Sequence, residues 1–92
     1  MKIEYDPIKR AQTWAERELD FARSLEVFQG MHLTGTDERR NYAEVRFITV
    51  GKLDGRLVVL VWTLRGEVRR IISMRKANER EKAQFEARLD RP

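Results

Sequence analysis

The stretch from residue 44 to residue 76 constrains the fold most, because strand and turn signals alternate along it. Arg56–Leu64 is an almost unbroken apolar run of strand length. Asp54-Gly55 precedes this run and Arg65-Gly66 follows it, and both pairs favour tight turns. A strand that is apolar on both faces belongs inside a covered sheet. The pattern predicts an antiparallel β-meander of three strands: Glu44–Lys52, Arg56–Leu64 and Glu67–Met74.

The residues before the meander predict a short strand followed by two helices. Lys2–Tyr5 alternates like a strand, and Asp6-Pro7 supplies an N-cap and a first helical residue. We expect this first helix to run to about Arg17 and to turn its apolar residues inward: Ile8, Ala11 and Ala15.

Further signals predict the second and third helices. Asp20 is an N-cap, and the second helix that follows it ends before Gly30. Its apolar residues share one face at helical spacing: Phe21, Leu25 and Phe28. A short strand is expected at 31–35 and a polar loop at 35–41. Asn78 is expected to cap the last helix, on which Phe85 and Leu89 share a face.

This order of elements belongs to the α+β class: a short N-terminal strand, two helices, an antiparallel meander and a C-terminal helix. The chain has 92 residues, so we expect one domain, 1–92, without an interdomain cleft. The absence of cysteine excludes disulfides, thiolate metal sites and a cysteine nucleophile. His32 is the only histidine, which excludes a multi-histidine metal cluster.

The sequence offers no sign of a membrane protein. No apolar run reaches the roughly 18 residues of a membrane span. The N-terminal residues carry two acids within the first six positions and no apolar stretch, unlike a signal peptide. We expect a soluble cytoplasmic protein with no membrane partner.

Positive charge is concentrated in one part of the chain. The net charge is +4, and residues 56–76 alone carry six basic side chains against one acid. Fourteen of the 19 basic residues are arginines, whose planar fork suits bidentate contacts with phosphate. A concentrated basic patch is typical of a protein that binds a polyanion, most often nucleic acid. A solvated basic surface without a partner is the alternative.

Three stretches together resemble the BrnT family of bacterial type II toxins. They cover essentially the whole chain in the family's order, and the C-terminal one is the most specific. The stretches are Glu4-Tyr5-Asp6-Pro7-Ile8-Lys9; Glu26-Val27-Phe28 with Arg46-Phe47-Ile48-Thr49-Val50-Gly51; and Arg70-Ile71-Ile72-Ser73-Met74-Arg75-Lys76-Ala77 with Glu79-Arg80-Glu81.

The resemblance implies a RelE-like toxin that cleaves RNA without a metal or other cofactor and so arrests translation and growth. It implies a BrnA-like antitoxin with a ribbon-helix-helix DNA-binding part, and repression of operator DNA by the complex. One departure stands out. Family members commonly have Lys-His-Gly after the first helix, where this chain has Glu16-Arg17-Glu18. A helix stop at glycine is therefore not expected here.

RNA cleavage requires cations at the phosphate, where negative charge develops in the transition state, and a proton acceptor for the 2′-hydroxyl. We predict as catalytic residues Arg46, Arg70, Arg75, Lys76 and Glu79, with Glu79 as the candidate base. We predict as RNA-binding residues Lys9, Tyr42, Thr63, Arg69 and Ser73, with Tyr42 as a stacking side chain.

Strand geometry complicates this prediction. In a regular last strand, Arg69, Ser73 and Arg75 point to one face and Arg70 to the other. Arg70 and Arg75 then share a ligand only if the regular strand ends before Arg75.

Two other functions remain open. One is a catalytically silent module that binds nucleic acid or an antitoxin, which the missing Lys-His-Gly keeps in view. The other is a toxin of the same fold with a target other than RNA. A homodimer is a further possible assembly.

Overall fold

The computed structural model describes residues 2–89 and confirms the α+β architecture, with three helices and a five-stranded sheet. No helix within this part of the chain is long and apolar enough to cross a bilayer. The RelE-like relationship stays a prediction. The elements in chain order are β1 (Ile3–Tyr5), α1 (Pro7–Arg17), a 3-10 turn (Phe21–Arg23), α2 (Ser24–Gln29), β2 (His32–Thr36), β3 (Arg46–Leu53), β4 (Arg56–Arg65), β5 (Val68–Lys76) and α3 (Glu79–Leu89).

The strands are ordered β1-β5-β4-β3-β2 across the sheet. Strands β2 to β5 pair antiparallel, which confirms the meander and adds β2 at its edge. The apolar strand β4 lies in the centre, as predicted. Strand β1 pairs parallel to β5 at the other edge, which the sequence pattern did not predict, and this pairing places Glu4 beside Arg70.

Tight turns fix the register of the meander. Asp54 and Gly55 both adopt positive φ, 53° and 77°, as the predicted type I′ hairpin requires. Gly66 follows β4 with a φ of 62°. These turns align Arg46 with Thr63 and, on the next strand, Thr63 with Arg70.

Each face of the sheet carries its own core. The α2 face is covered by α2 and the 3-10 turn, whose Phe21, Val27 and Phe28 pack on the sheet. The sheet side chains in this cluster are Leu53, Val58, Leu60, Trp62, Ile71 and Met74. The α3 face is covered only in part, where Phe85 packs with Leu57, Val59 and Ala77. The uncovered part of the α3 face is therefore open to a ligand.

Helix α1 does not pack as predicted. None of its residues is buried, and Ile8, Ala11 and Ala15 are exposed, Ile8 by 68%. The expectation that they turn inward is wrong, because α2 and the 3-10 turn already cover the α2 face. Polar contacts hold α1 instead. The Arg10 guanidinium donates to both carboxylate oxygens of Asp20, at 2.8 and 3.1 Å.

A reciprocal pair of hydrogen bonds starts α3, as the predicted N-cap requires. The Glu81 amide donates to Asn78 Oδ1 at 2.8 Å, and the Asn78 amide donates to Glu81 Oε1 at 2.9 Å. This capping box satisfies two amides that a helix start leaves without partners. It also fixes the Glu81 carboxylate beside the end of β5.

Candidate functional site

A β-bulge in β5 determines on which face of the sheet the predicted arginines of this strand lie. Trp62 pairs with Ile71 and Val61 with Ser73, so Ile72 is an extra residue that has no partner on β4. The extra residue reverses the alternation after it, and Ile71 and Met74 both lie in the core on the α2 face. Arg70, Ser73 and Arg75 consequently share the α3 face. The conflict expected for a regular strand does not arise.

Charged side chains form a lateral row across the α3 face. Cross-strand pairing aligns Glu4, Arg70, Thr63 and Arg46 on four neighbouring strands. The Asp37 amide extends this row, since it donates to the Arg46 carbonyl at 2.8 Å. Adjacent strands lie about 4.8 Å apart, which puts the α-carbons of Arg46 and Arg70 roughly 10 Å from each other. The two side chains therefore stand on the same face of the sheet, with the Arg70 guanidinium beside Glu4 and the Arg46 guanidinium over the Tyr42 ring.

Acidic side chains balance Arg70 and Arg75. An Arg70 Nη lies 3.5 Å from a Glu4 carboxylate oxygen, with 42% of the Glu4 side chain exposed. Arg75 donates to both carboxylate oxygens of Glu81, at 2.7 and 2.8 Å. The Arg75 guanidinium, together with the Asn78 amide, lowers the pKa of Glu81 to about 2. Glu81 thus stays ionised at neutral pH and is a weak base.

The loop between β2 and β3 folds around one buried carboxylate. The Asp37 side chain is fully buried and accepts hydrogen bonds from the Arg39 guanidinium, at 2.8 and 2.9 Å. The Tyr42 hydroxyl donates to the same carboxylate at 3.0 Å. The pKa of Asp37 is held well below its ordinary value, chiefly by Arg39. This carboxylate therefore orders Arg39 and Tyr42 beside the lateral row.

The Arg46 guanidinium packs on the Tyr42 ring, and its Nε makes no hydrogen bond within residues 2–89. Its guanidinium carbon lies 4.1 Å from the centre of the Tyr42 ring, a cation–π distance. Its Nε is buried and has no hydrogen-bond partner within residues 2–89. A buried donor without a partner is costly. The Nε of Arg69 on the α2 face is in the same state, so this feature alone does not mark a phosphate site.

The structure does not bring all the predicted side chains to this region. Arg69 lies on the α2 face, with its guanidinium carbon 3.9 Å from the Phe28 ring centre and 5.1 Å from that of Trp62. The Thr63 hydroxyl is buried and donates to the Val45 carbonyl at 2.6 Å, which leaves it committed to the fold. Both side chains thus have contacts within the fold, and their role in RNA binding stays a prediction.

Three further predicted residues lie outside the row. Glu79 is 93% exposed at its side chain and pairs with Lys82, so it does not meet the arginines. Lys9 is exposed on α1 and makes no hydrogen bond or ion pair to the α3 face within residues 2–89. Lys76 is exposed at the end of β5 and pairs in register with Val58, a residue of the α2 face. None of these residues touches Arg46 or Arg70 in the part of the chain described.

The sequence did not predict four residues that the structure places around the arginines of the α3 face: Glu4, Asp37, Arg39 and Glu81. Asp37 and Arg39 lie in a polar loop whose fold depends on long-range contacts. Glu4 belongs to the region only because β1 is parallel to β5. Glu81 carried a usable signal, since Asn78 followed three residues later by Glu81 is a capping-box spacing.

The fold and this face define a small α+β protein whose sheet carries three arginines on one face, two of them paired with carboxylates. Residues 5–81 match the family model described as ribonuclease toxin, BrnT, of type II toxin-antitoxin system. The chain belongs to this family, as its sequence motifs had implied, and the family implies an antitoxin partner. No curated protein matches the chain.

Proposed function

We propose that this chain is the toxin of a type II toxin–antitoxin pair and cleaves RNA at the uncovered part of the α3 face without a metal ion. The observation that carries the proposal is the β5 bulge, which puts Arg70 and Arg75 on the face that Arg46 occupies. Arginines at a phosphate stabilise the charge that develops in the transition state. Membership of a ribonuclease toxin family supports the same reaction.

The proposed reaction is an in-line transfer within the RNA. The 2′-oxygen forms a bond to phosphorus while the bond from phosphorus to the 5′-oxygen breaks. Arg46 and Arg70 bind the non-bridging oxygens through their guanidinium groups. The 2′-hydroxyl proton passes to a carboxylate, and water protonates the departing 5′-oxygen. The products are a 2′,3′-cyclic phosphate and a 5′-hydroxyl end.

Glu4 is the proposed proton acceptor, in place of Glu79. Glu4 lies beside Arg70 on the α3 face, is half-exposed, and pairs with Arg70 at 3.5 Å. Glu81 is ionised too firmly to take a proton at neutral pH, because its pKa is about 2. Asp37 is fully buried and bonded to Arg39 and Tyr42.

The test is cleavage of a defined RNA by the purified chain, with a chelator present, followed by mapping of the new ends. We expect 5′-hydroxyl ends and undiminished activity in the chelator. Arg46→Ala and Arg70→Ala are each expected to lower kcat by about 10²–10³, the usual cost of losing one preorganised charge contact.

Arg56→Ala is the matched control. Arg56 is exposed at the β3–β4 hairpin, seven residues along β4 from Thr63, and its loss removes the same charge. It should leave kcat within about twofold of the unmodified chain. Intact RNA with the unmodified chain would reject the nuclease, and retained RNA binding would then favour the catalytically silent module. An activity lost in the chelator would reject the metal-free mechanism.

The antitoxin is proposed to be BrnA-like, with a ribbon-helix-helix part through which the complex binds operator DNA. Family membership supports this partner. Expression of the chain alone should arrest growth and translation, and co-expression with such an antitoxin should restore both. The size of the purified chain in solution tests whether it forms a homodimer. Growth arrest without new RNA ends would instead indicate a target other than RNA.

A further inference from the structure

A cavity of about 680 Å³ lies between α3 and strands β2 and β3, on the face of the sheet that carries Arg46, Arg70 and Arg75. Its floor is apolar and includes Ile48, Val50 and Phe85. Polar and charged residues also line it, among them Gln84, Glu81 and Arg88. Volumes of this order are usual for sites that hold small organic ligands.

The cavity and the arginines are parts of one surface. Glu81 lines the cavity and also accepts both hydrogen bonds from Arg75. Along β3, Ile48 follows Arg46 by two residues and therefore projects from the same face. A ligand whose phosphate meets Arg46 can thus place an adjoining group in the cavity.

We propose that this cavity holds a nucleobase of the RNA, next to the phosphate that the arginines bind. This inference rests on the proposed function and specifies where the substrate is read. A base has flat apolar faces and an edge of hydrogen-bond donors and acceptors. The apolar floor suits the faces, and the donor and acceptor of the Gln84 amide suit the edge.

Gly35 keeps the cavity open on the β2 side. It lies opposite Ile48 in the β2–β3 ladder and lines the cavity. A Cβ built at Gly35 would meet nothing within 4 Å, and its φ is not in the left-handed region. A larger side chain at residue 35 can therefore enter the cavity without strain on the backbone.

The experiment measures binding of the four nucleoside 3′-monophosphates and of inorganic phosphate to the full chain. Gly35→Leu should weaken the best-bound nucleotide by about tenfold or more, because base contacts are lost. It should leave the affinity for inorganic phosphate unchanged. Gln84→Leu should reduce the discrimination among the four bases.

Gly30→Leu is the matched control. Gly30 lies outside the cavity after α2, its backbone is extended at a φ of −89°, and its added Cβ would make only ordinary contacts of 3.7 Å or longer. This variant should bind all five ligands like the unmodified chain. Circular dichroism checks the fold of each variant, and Gln84 is exposed, so its variant serves if Gly35→Leu unfolds.

Two results would overturn the inference. One is a chain that binds nucleotides no more tightly than inorganic phosphate. The other is a variant that behaves like the unmodified chain: Gly35→Leu binds the nucleotides with the same affinity, or Gln84→Leu discriminates among the four bases to the same degree. A chain that binds a base in this cavity but leaves RNA intact would support the site and reject the proposed nuclease, so the two failures are separable.

Discussion

Glu18 ends α1 in a backbone conformation that glycine adopts more readily than other residues. The sequence resemblance implies a glycine at this position in the family, and Glu18 adopts a left-handed backbone with φ 57° and ψ 34°. Its amide donates to the Trp14 carbonyl at 2.9 Å and so ends α1. A residue with a Cβ is strained in this conformation by about 1–2 kcal/mol, whereas glycine adopts it freely.

Glu18→Gly is therefore expected to stabilise the chain. The gain in the free energy of unfolding should be about 1 kcal/mol, or some 4–8 °C in Tm. Urea and thermal unfolding followed by circular dichroism measure both quantities. Glu18→Ala keeps the strain and should gain no more than a few tenths of a kcal/mol. An equal gain from alanine would show that the glutamate side chain, and not the backbone, is unfavourable.

Arg17 stands where the family commonly has histidine, and it has a structural contact. Its Nη1 donates to the Met74 carbonyl at 2.9 Å, on a part of β5 beyond the pairing with β1. This contact therefore anchors the end of α1 to the sheet. His32, the single histidine, bonds through Nδ1 to the Gly30 carbonyl and packs against Phe28 on the α2 face.

At the scale of elements, the start of α3 couples folding to the candidate site. Glu81 caps the helix through the Asn78 amide and also pairs with Arg75. Its pKa is about 2 in the folded chain, against 4.5 as its ordinary value. A lowered pKa means that the carboxylate stabilises the fold above pH 4.5 and loses this effect as the pH falls towards 2.

Glu81→Gln tests that coupling, because glutamine can keep the capping box but has no charge for Arg75. The unmodified chain should exceed this variant in free energy of unfolding by about 1–2 kcal/mol near pH 6, a value reduced for solvent screening at the exposed Arg75. The difference should vanish between pH 4.5 and pH 2. Urea unfolding across this range measures it, and a difference that does not change with pH would refute the role of the charge.

The sequence predicted elements best where the signal is local. The hairpin at Asp54-Gly55, the central strand and the cap at Asn78 each depend on residues close in the chain, and the structure confirms them. The bulge at Ile72 was not predictable, because it comes from packing both Ile71 and Met74 into one core. The candidate site depends on that bulge. Its arginines could be named from the sequence, but the face that they share and the carboxylates around them could not.

At the scale of the whole molecule, the sheet separates stability from the proposed chemistry. The α2 face contains the larger core and Arg69, whose guanidinium packs on Phe28 and Trp62. The uncovered part of the α3 face carries Arg46, Arg70 and Arg75. Arg69 and Arg70 are neighbours in the chain but lie on opposite faces of the sheet. Replacing each one by alanine therefore removes the same charge from a different face.

Salt dependence of RNA binding distinguishes the two faces. Each phosphate contact removed from single-stranded RNA should reduce the slope of log K against log salt concentration by about 0.7. Arg70→Ala is expected to reduce the slope by that amount and to change stability little, since its ion pair with Glu4 is partly exposed. Arg69→Ala should leave the slope unchanged and destabilise the fold by about 1 kcal/mol through the lost ring contacts. Filter binding between about 50 and 200 mM salt measures the slope. Equal slopes for the two variants would mean that RNA is attracted by the total charge of the chain, and the α3 face would lose its claim to be the binding surface.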